Sequence, residues 1–210
     1  MGETKRNYAV KTLDVLRVIS FPFRYGVVLG LAYFLTPSLF KTVFNPHVNS
    51  ELRPMMRFVK DSKQTCLIGA EVGVFKGNHA VSIIANLPME KLYLIDPYLP
   101  YEQDGVVINP SVARLVAFQI LKKVKDKISW VNPSHLPNNL HFIYIDGNHQ
   151  YEAVKADIHH YYEKIKYGGV LGGHDFSNRF EGVIRAVTEF TLEKNLRLFV
   201  EQPDWWIIKK

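Results

Sequence analysis

The sequence of 210 residues contains a single cysteine, Cys66. One cysteine cannot form an intramolecular disulfide, and no Cys/His spacing typical of a zinc site is present. A reducing compartment therefore fits best, and we expect a cytoplasmic protein. Peripheral association with a membrane is a second expectation, which comes from the N-terminal sequence.

The chain also lacks an apolar segment long enough for an obvious membrane span. The uninterrupted run from Tyr25 to Leu35 is about half of the roughly 20 residues that a spanning helix needs. Pro22 and Arg24 interrupt its extension, and no clean signal-peptide cleavage site follows. We predict an N-terminal helical arm over residues 1–50, followed by one domain over residues 51–210.

Three interpretations of the arm remain open. In the first, the arm packs on the domain itself or on a second subunit, and packing on a second subunit would make the protein a homo-oligomer. Residues 17–44 could instead make a peripheral membrane contact, with Arg17, Arg24 and Lys41 meeting anionic headgroups. A genuine spanning helix is the third interpretation.

Excess charge is missing from most of the chain. The net charge is +6, and residues 1–60 carry all of it, with nine Lys/Arg against three Asp/Glu. Residues 61–210 contain 17 basic and 17 acidic side chains. A neutral domain argues against a nucleic-acid partner.

From residue 65 onward, apolar runs alternate with segments of helical periodicity, which is typical of a doubly wound α/β sheet. A last helix and two terminal runs predict an antiparallel C-terminal hairpin. The predicted strands are Cys66–Val72, Lys91–Ile95, Ile128–Val131, Leu140–Ile145, Val170–Gly173, Leu196–Val200 and Trp205–Ile208. The predicted helices are Met55–Ser62, Asn78–Asn86, Ser111–Lys125, a run from Tyr151 to Ile165 ended by Gly168-Gly169, and Glu181–Glu193, with a polar loop over Leu99–Pro110.

Four successive strand ends carry polar or glycine residues: Glu71 with Gly73, Asp96, Asp146, and His174 with Asp175. One such acid could be a helix cap. Four at the carboxyl ends of strands in one sheet predict a ligand site, because open α/β sheets bind ligands at that edge.

The glycine loop lacks the Gly-x-Gly-x-x-Gly spacing of a diphosphate-binding turn. Gly73 and Gly77 are separated by three residues, and Asp96 follows Gly73 by 23 positions. An acid at that place can accept hydrogen bonds from both ribose hydroxyls. The pattern therefore favours a nucleoside without a diphosphate.

Four motifs in this order resemble a known family: Glu71-Val-Gly-Val-Phe-Lys-Gly, Ile95-Asp-Pro-Tyr, Ile145-Asp-Gly-Asn-His-Gln-Tyr-Glu-Ala-Val-Lys-Ala-Asp and Gly168-Gly-Val-Leu-Gly-Gly-His-Asp-Phe. Together they resemble the class I S-adenosylmethionine-dependent methyltransferases. Within that class they are most similar to the small O-methyltransferase-like group related to macrolide-sugar methyltransferases and cephalosporin-hydroxylase-like proteins. The resemblance implies a Rossmann-like, mostly parallel seven-stranded sheet, and residues 1–50 lie outside it.

The resemblance also implies roles in binding S-adenosylmethionine. Glu71 would lie near the methionine ammonium, Gly73 would let the cofactor approach the backbone, and Asp96 would accept the ribose hydroxyls. The other implied cofactor contacts are Val74 and Gly77 in the glycine loop, Tyr98 and Ser134 on the adenine side, and Asp146.

For the chemistry, the resemblance implies two divalent-metal ligands, Asp146 and Asp175. Metal-dependent relatives commonly place an acidic or amide side chain beside the second aspartate, whereas this chain has His174. Mg²⁺ prefers oxygen ligands, so a divalent cation stays one of two interpretations. In the other, His149 or His174 acts as general base, with Asp146 in the catalytic set. His149 could also simply cap the following helix.

The function expected from this resemblance is O-methylation of a hydroxyl on a small-molecule, sugar or lipid-linked acceptor. Methylation of a protein or nucleic acid is an alternative. DNA amino-methyltransferases usually end the corresponding strand in Asn/Asp-Pro-Pro-Tyr/Phe, whereas this chain has Asp146-Gly-Asn-His. A cofactor-binding module without methyl transfer is the remaining alternative.

Overall fold

A computed structural model describes residues 51–103 and 105–210. The predicted arm at residues 1–50 lies outside this described part. Among the described residues, no helix combines the length and the apolar character needed to cross a bilayer.

The described chain contains five α-helices and nine strands. The helices are α1 (Pro54–Asp61), α2 (Asn78–Asn86), α3 (Ser111–Leu121), α4 (Tyr151–Tyr162) and α5 (Glu181–Glu193). The strands are β1 (Leu67–Val72), β2 (Met89–Ile95), β3 (Tyr101–Gln103), β4 (Val106–Ile108), β5 (Ile128–Trp130), β6 (Leu140–Ile145), β7 (Ile165–Gly173), β8 (Phe199–Glu201) and β9 (Asp204–Ile208). Short 3₁₀ helices cover Lys122–Lys127 and Pro133–His135.

Seven strands form one sheet in the order β5-β2-β1-β6-β7-β9-β8. The pairs from β5 to β7 are parallel, and β9 runs antiparallel to both β7 and β8. The predicted fold class is confirmed. The strand order reverses between β1 and β6, and this switch point is where ligands bind in such sheets.

Helices and loops cover both faces of the sheet, which explains the near-continuous apolar strands. Each face carries its own cluster of buried side chains. Trp205 and Trp206 are adjacent on β9 and belong to different clusters, because successive strand residues point to opposite faces. Both are buried.

Two predicted boundaries are wrong around the fourth helix. α4 ends at Tyr162, and Ile165 begins β7 opposite Leu140 of β6. Ile165 is buried by this strand pairing, so its apolar character marks the sheet and not the helix. Gly168 and Gly169 consequently lie inside β7, where the register shifts, and not at a helix C-cap.

Two further segments differ from the prediction. The polar loop after β2 contains the antiparallel hairpin β3–β4. α3 stops at Leu121 and continues as the 3₁₀ helix Lys122–Lys127, in which Val124 has non-helical dihedral angles. The lysine-rich sequence of that segment offers no apolar face to hold a regular helix against the sheet.

Candidate active site

The glycine loop (residues 73–77) connects β1 to α2 and brings two strand ends together. Gly73 has φ +85°, and a Cβ added there would lie 2.0 Å from the backbone oxygen of Asp146. Gly73 is therefore required by the close approach of the loop to the end of β6. Gly77, with φ +81°, is the N-cap residue of α2.

Asp96, at the end of β2, holds the glycine loop through its carboxylate. The backbone N–H groups of Val74 and Phe75 donate to Oδ2 at 3.0 and 2.9 Å, and that of Tyr98 donates to Oδ1 at 2.8 Å. A carboxylate offers about four acceptor sites. Roughly one is left for a ribose hydroxyl while the loop keeps this conformation.

Tyr98 also contacts the glycine loop. Its hydroxyl donates to the backbone oxygen of Phe75 at 2.9 Å, and its ring centroid lies 5.9 Å from that of Trp130. Burial and the nearby carboxylates of Asp96 and Glu71 raise the pKa of Tyr98, so the phenol stays neutral. Ser134 lies exposed in the short 3₁₀ helix after β5, and no contact joins it to another predicted site residue within the described part of the chain.

A buried polar group beside the loop lacks hydrogen-bond partners. Glu71 is 1% exposed, and its Oε1 lies 3.1 Å from Nδ1 of His79. Among the described residues, Glu71 Oε2, Asn78 Oδ1 and His79 Nε2 have no hydrogen-bond partner.

Two buried acceptors without a partner in the described chain, Glu71 Oε2 and Asn78 Oδ1, suit a cation with several N–H donors, since buried polar groups are almost always paired. The ammonium of an amino acid has that donor set. These residues therefore fit the methionine end of S-adenosylmethionine.

Arg53 enters the site from the residue that precedes α1. Its Nη1 lies 3.1 Å from the Tyr144 hydroxyl and 2.6 Å from Asp146 Oδ2. The Tyr144 hydroxyl in turn donates to Asp204 Oδ1 at 2.8 Å, and the backbone N–H of Met55 donates to Asp204 Oδ2 at 3.0 Å. This chain of contacts connects α1, β6 and β9 behind the site.

The ends of β6 and β7 bring together an Asp–His cluster, which consists of Asp146, His149, His174 and Asp175. Nε2 of His149 lies 2.8 Å from Asp175 Oδ2 and 3.9 Å from Asp146 Oδ1. Nδ1 of His174 lies 2.9 Å from Asp175 Oδ1 and 4.0 Å from Asp146 Oδ1. His149 thus lies between the two carboxylates. The helix-capping position belongs instead to Gln150, whose backbone N–H donates to the Asn148 side chain.

These contacts shift the pKa values of the cluster. Burial lowers the pKa of His149, but the carboxylates of Asp146 and Asp175 outweigh it and raise the value to about 9. Burial opposes ionisation of Asp175 and Asp146, yet His149 and the other neighbouring cations hold the pKa of both carboxyl groups below its usual range. Without a metal, His149 is therefore protonated at neutral pH.

The same cluster has the donor set of a divalent-cation site. One ligand atom each from Asp146, His149 and Asp175 lies within 4.8 Å of the others. Two carboxylates and an imidazole suit Mn²⁺, Fe²⁺ or Zn²⁺ better than Mg²⁺. The residues fit a metal, with His149 taking a place that the sequence analysis gave to a base.

The sequence analysis did not identify four residues near the site: Arg53, Asn78, His79 and Tyr101. Asn78 and His79 directly follow Gly77, so their place at the start of α2 was a usable signal. Tyr101 begins β3, where burial and the charges of Asp96 and Asp146 raise its pKa, which indicates that it lies near both carboxylates. Arg53 is 93 residues from Asp146 in sequence, and no local pattern connects the two.

Comparison with known proteins places this geometry in a family. The sequence profile of a family described as a methyltransferase domain matches residues 70–176. An uncharacterised protein of Acanthamoeba polyphaga mimivirus is 24% identical over 151 residues, which are 70% of this chain. The chain spans 66%, about two thirds, of the length of that curated relative.

Solved methyltransferase structures share the fold at low sequence identity. SAH-bound methyltransferase PaMTH1 of Podospora anserina has a TM-score of 0.56 at 9% identity, covering 92% of this chain and 98% of its own. The Bacillus cereus O-methyltransferase in complex with SAH has a TM-score of 0.53 at 13% identity, covering 96% and 97%. The O-methyltransferase NovP has a TM-score of 0.54 at 14% identity, covering 81% and 80%. The family match spans half of the chain and includes the glycine loop and the Asp–His cluster, so this chain belongs to the methyltransferase-domain family.

Proposed function

We propose that the protein methylates a hydroxyl oxygen of a small-molecule, sugar or lipid-linked acceptor. The Asp–His cluster carries this proposal, because it places two carboxylates and an imidazole at the ends of β6 and β7, beside the glycine loop. An oxygen nucleophile needs its proton removed or its hydroxyl polarised, and this cluster can do either. Similar structures that are themselves O-methyltransferases add support.

S-adenosylmethionine supplies a methyl group that is already activated on a sulfonium, so the protein chiefly has to align the acceptor. In our proposal Glu71, Asn78 and His79 hold the ammonium of the cofactor. Asp96 takes a ribose hydroxyl at its remaining acceptor site. Val74, Gly77, Tyr98, Ser134 and Asp146 complete the proposed cofactor contacts.

Proton removal depends on the charge of His149. The protonated ring lies between Asp146 and Asp175, so in the metal-free protein it cannot accept a proton until the pH approaches about 9. A divalent cation held by Asp146, His149 and Asp175 would instead lower the pKa of the acceptor hydroxyl. We therefore favour a metal-assisted reaction, in which Asp146, His149 and Asp175 would hold the cation and His174 would stay in contact with Asp175.

We further propose that residues 17–44 bring the cytoplasmic enzyme to an anionic membrane surface. The arm (residues 1–50) carries six Lys/Arg against two Asp/Glu next to the sequence's longest apolar run, a composition typical of peripheral membrane contact. If this contact exists, it favours a lipid-linked acceptor over a free small molecule or sugar. Dimerisation through the arm is the competing proposal, and a flotation test combined with sedimentation distinguishes them.

Methyl transfer is tested by incubating the full chain with isotope-labelled S-adenosylmethionine and fractionated metabolite and lipid extracts. Mass spectrometry should detect a labelled product whose methyl group is on oxygen. Asp146→Asn and His149→Gln should each abolish it, whereas His160→Gln, at an exposed position of α4, should not. A chelator should suppress product formation, and added Mn²⁺ should restore it.

Two results would contradict the proposal. Label on nitrogen or carbon would exclude O-methylation. Full product yield from Asp146→Asn and His149→Gln would show that the Asp–His cluster does not serve the reaction.

A further inference from the structure

Arg53 provides a cation at the edge of the predicted methionine site, outside the segment that the family profile matches. That segment is residues 70–176. Arg53 ends the chain segment before α1, and 31% of its side chain remains exposed. Its guanidinium carbon lies 5.4 Å from the centre of the Tyr144 ring.

Tyr144 connects Arg53 to the unpaired acceptors of the methionine site. The His79 ring centroid lies 4.3 Å from that of Tyr144, and His79 contacts Glu71. Glu71 and Tyr144 are register partners on β1 and β6, so their side chains project from the same face of the sheet. Arg53 and His79 therefore approach one aromatic ring, and both border the space beside Glu71.

The charges around this space match a zwitterion. Glu71 Oε2 and Asn78 Oδ1 are unpaired acceptors among the described residues, which suits an ammonium. Within that part of the chain, Arg53 donates hydrogen bonds only from Nη1, which leaves Nη2 and Nε available. A guanidinium presents its donors as a planar fork that fits a carboxylate.

We infer that Arg53 binds the α-carboxylate of the methionine end of the cofactor and so selects ligands with an intact amino-acid group. This inference rests on S-adenosylmethionine being the cofactor. Arg53 keeps Nη1 on Asp146 and uses its free donors for the cofactor, so the start of α1 becomes part of the binding site. The competing role is that of a counter-ion for Asp146 alone.

Calorimetry with two ligands separates these roles. The full chain is titrated with S-adenosylmethionine and with its decarboxylated analogue, which keeps the sulfonium, the nucleoside and the ammonium. The wild type should bind the carboxylate-bearing ligand about 10- to 100-fold more tightly, the range expected for hydrogen bonds to a charged group. Arg53→Met should abolish this preference by weakening S-adenosylmethionine binding alone.

Two further variants complete the test. Arg53→Lys keeps the charge without the planar fork, so it should retain part of the preference. Arg57→Met is the matched control, because Arg57 is one turn further along α1 and pairs with the exposed Glu201. It should keep the wild-type preference.

Equal affinity of the wild type for the two ligands would overturn the inference without any variant. It would also fall if Arg53→Met weakened both ligands by the same factor, which is the result expected of a counter-ion. Failure of the wild type to bind either ligand would instead contradict the cofactor assignment itself.

Discussion

Asp146 faces a different cation with each of its carboxylate oxygens. Oδ2 contacts Arg53 at 2.6 Å, while Oδ1 lies 3.9 Å from His149 and 4.0 Å from His174. These cations overcome the cost of burial and keep the pKa of Asp146 below its usual range. One side chain therefore contacts both Arg53, beside the proposed methionine site, and the histidines of the Asp–His cluster.

His149 should make the stability of the metal-free protein depend on pH. Its pKa is about 9 when folded and 6.5 when unfolded, so the folded state binds the proton more tightly. The stabilisation is complete below pH 6.5 and is lost as the pH rises through about 9. His149→Gln should thus lower the free energy of unfolding by on the order of 2 kcal/mol near pH 6 and by little above pH 9.

Urea unfolding of both proteins in the presence of a chelator measures this difference. His160→Gln serves as the control, since His160 is exposed on α4. A difference between wild type and His149→Gln that stayed constant across this pH range would contradict the proposed ion pairs.

The Tyr144 hydroxyl should stabilise the fold through Asp204. Both residues are fully buried, and Asp204 loses the donor to its Oδ1 if the hydroxyl is removed. Tyr144→Phe should cost about 1–3 kcal/mol, a drop of roughly 3–10 °C in the melting temperature. Tyr161→Phe is the matched control, because the buried Tyr161 makes no hydrogen bond through its hydroxyl to any described residue. Similar melting temperatures for the two variants would contradict this role.

At the scale of elements, the glycine loop depends on the contact between β1 and β6. Gly73→Ala should reduce stability by about 2–4 kcal/mol, because φ is +85° and the added Cβ would meet the Asp146 backbone at 2.0 Å. The displaced loop should also weaken S-adenosylmethionine binding. Gly147→Ala, whose Cβ would have its nearest neighbour at 3.9 Å, should change both quantities little.

Thermal unfolding and calorimetry measure the two effects. Wild-type stability and affinity in Gly73→Ala would show that the loop does not need this close approach.

Elements with one clear period could be predicted from sequence. The bounds of α2, β6 and α5 match the prediction, because apolar periodicity and flanking residues agree there. The start of β7 could not be predicted from the sequence. Ile165 continues the helical spacing of the preceding segment, but in the structure it pairs with Leu140 of β6. The hairpin β3–β4 was missed because three-residue strands carry too little pattern to distinguish them from a loop.

Some residues of the candidate site could likewise be predicted from the sequence, and others could not. Glu71, Asp96, Asp146 and Asp175 could be found because each ends a recognisable strand, and parallel strands end at one edge of the sheet. The position of His149 between two carboxylates depends on how the loop after β6 meets the end of β7. Arg53 depends on the packing of α1 against β7 and β9, which no local spacing encodes.

For the whole molecule, the uneven charge leads to a prediction about membranes. Residues 1–60 carry the net charge of +6, whereas the remainder is neutral. The full chain should therefore float with anionic liposomes, and less so at high salt, because screening weakens the attraction. A chain that starts near Asn49 should stay at the bottom of the gradient. Equal flotation of the two proteins would exclude a membrane contact through the arm.

One edge of the sheet should hold the cofactor and a divalent cation side by side. A crystal structure of the full chain with S-adenosylhomocysteine and Mn²⁺ tests it most directly. We expect the nucleoside over the glycine loop, its ribose at Asp96, its amino-acid end beside Glu71, and an anomalous peak for Mn²⁺ among Asp146, His149 and Asp175. Cofactor density elsewhere, or an anomalous map without a peak in the Asp–His cluster, would contradict the account.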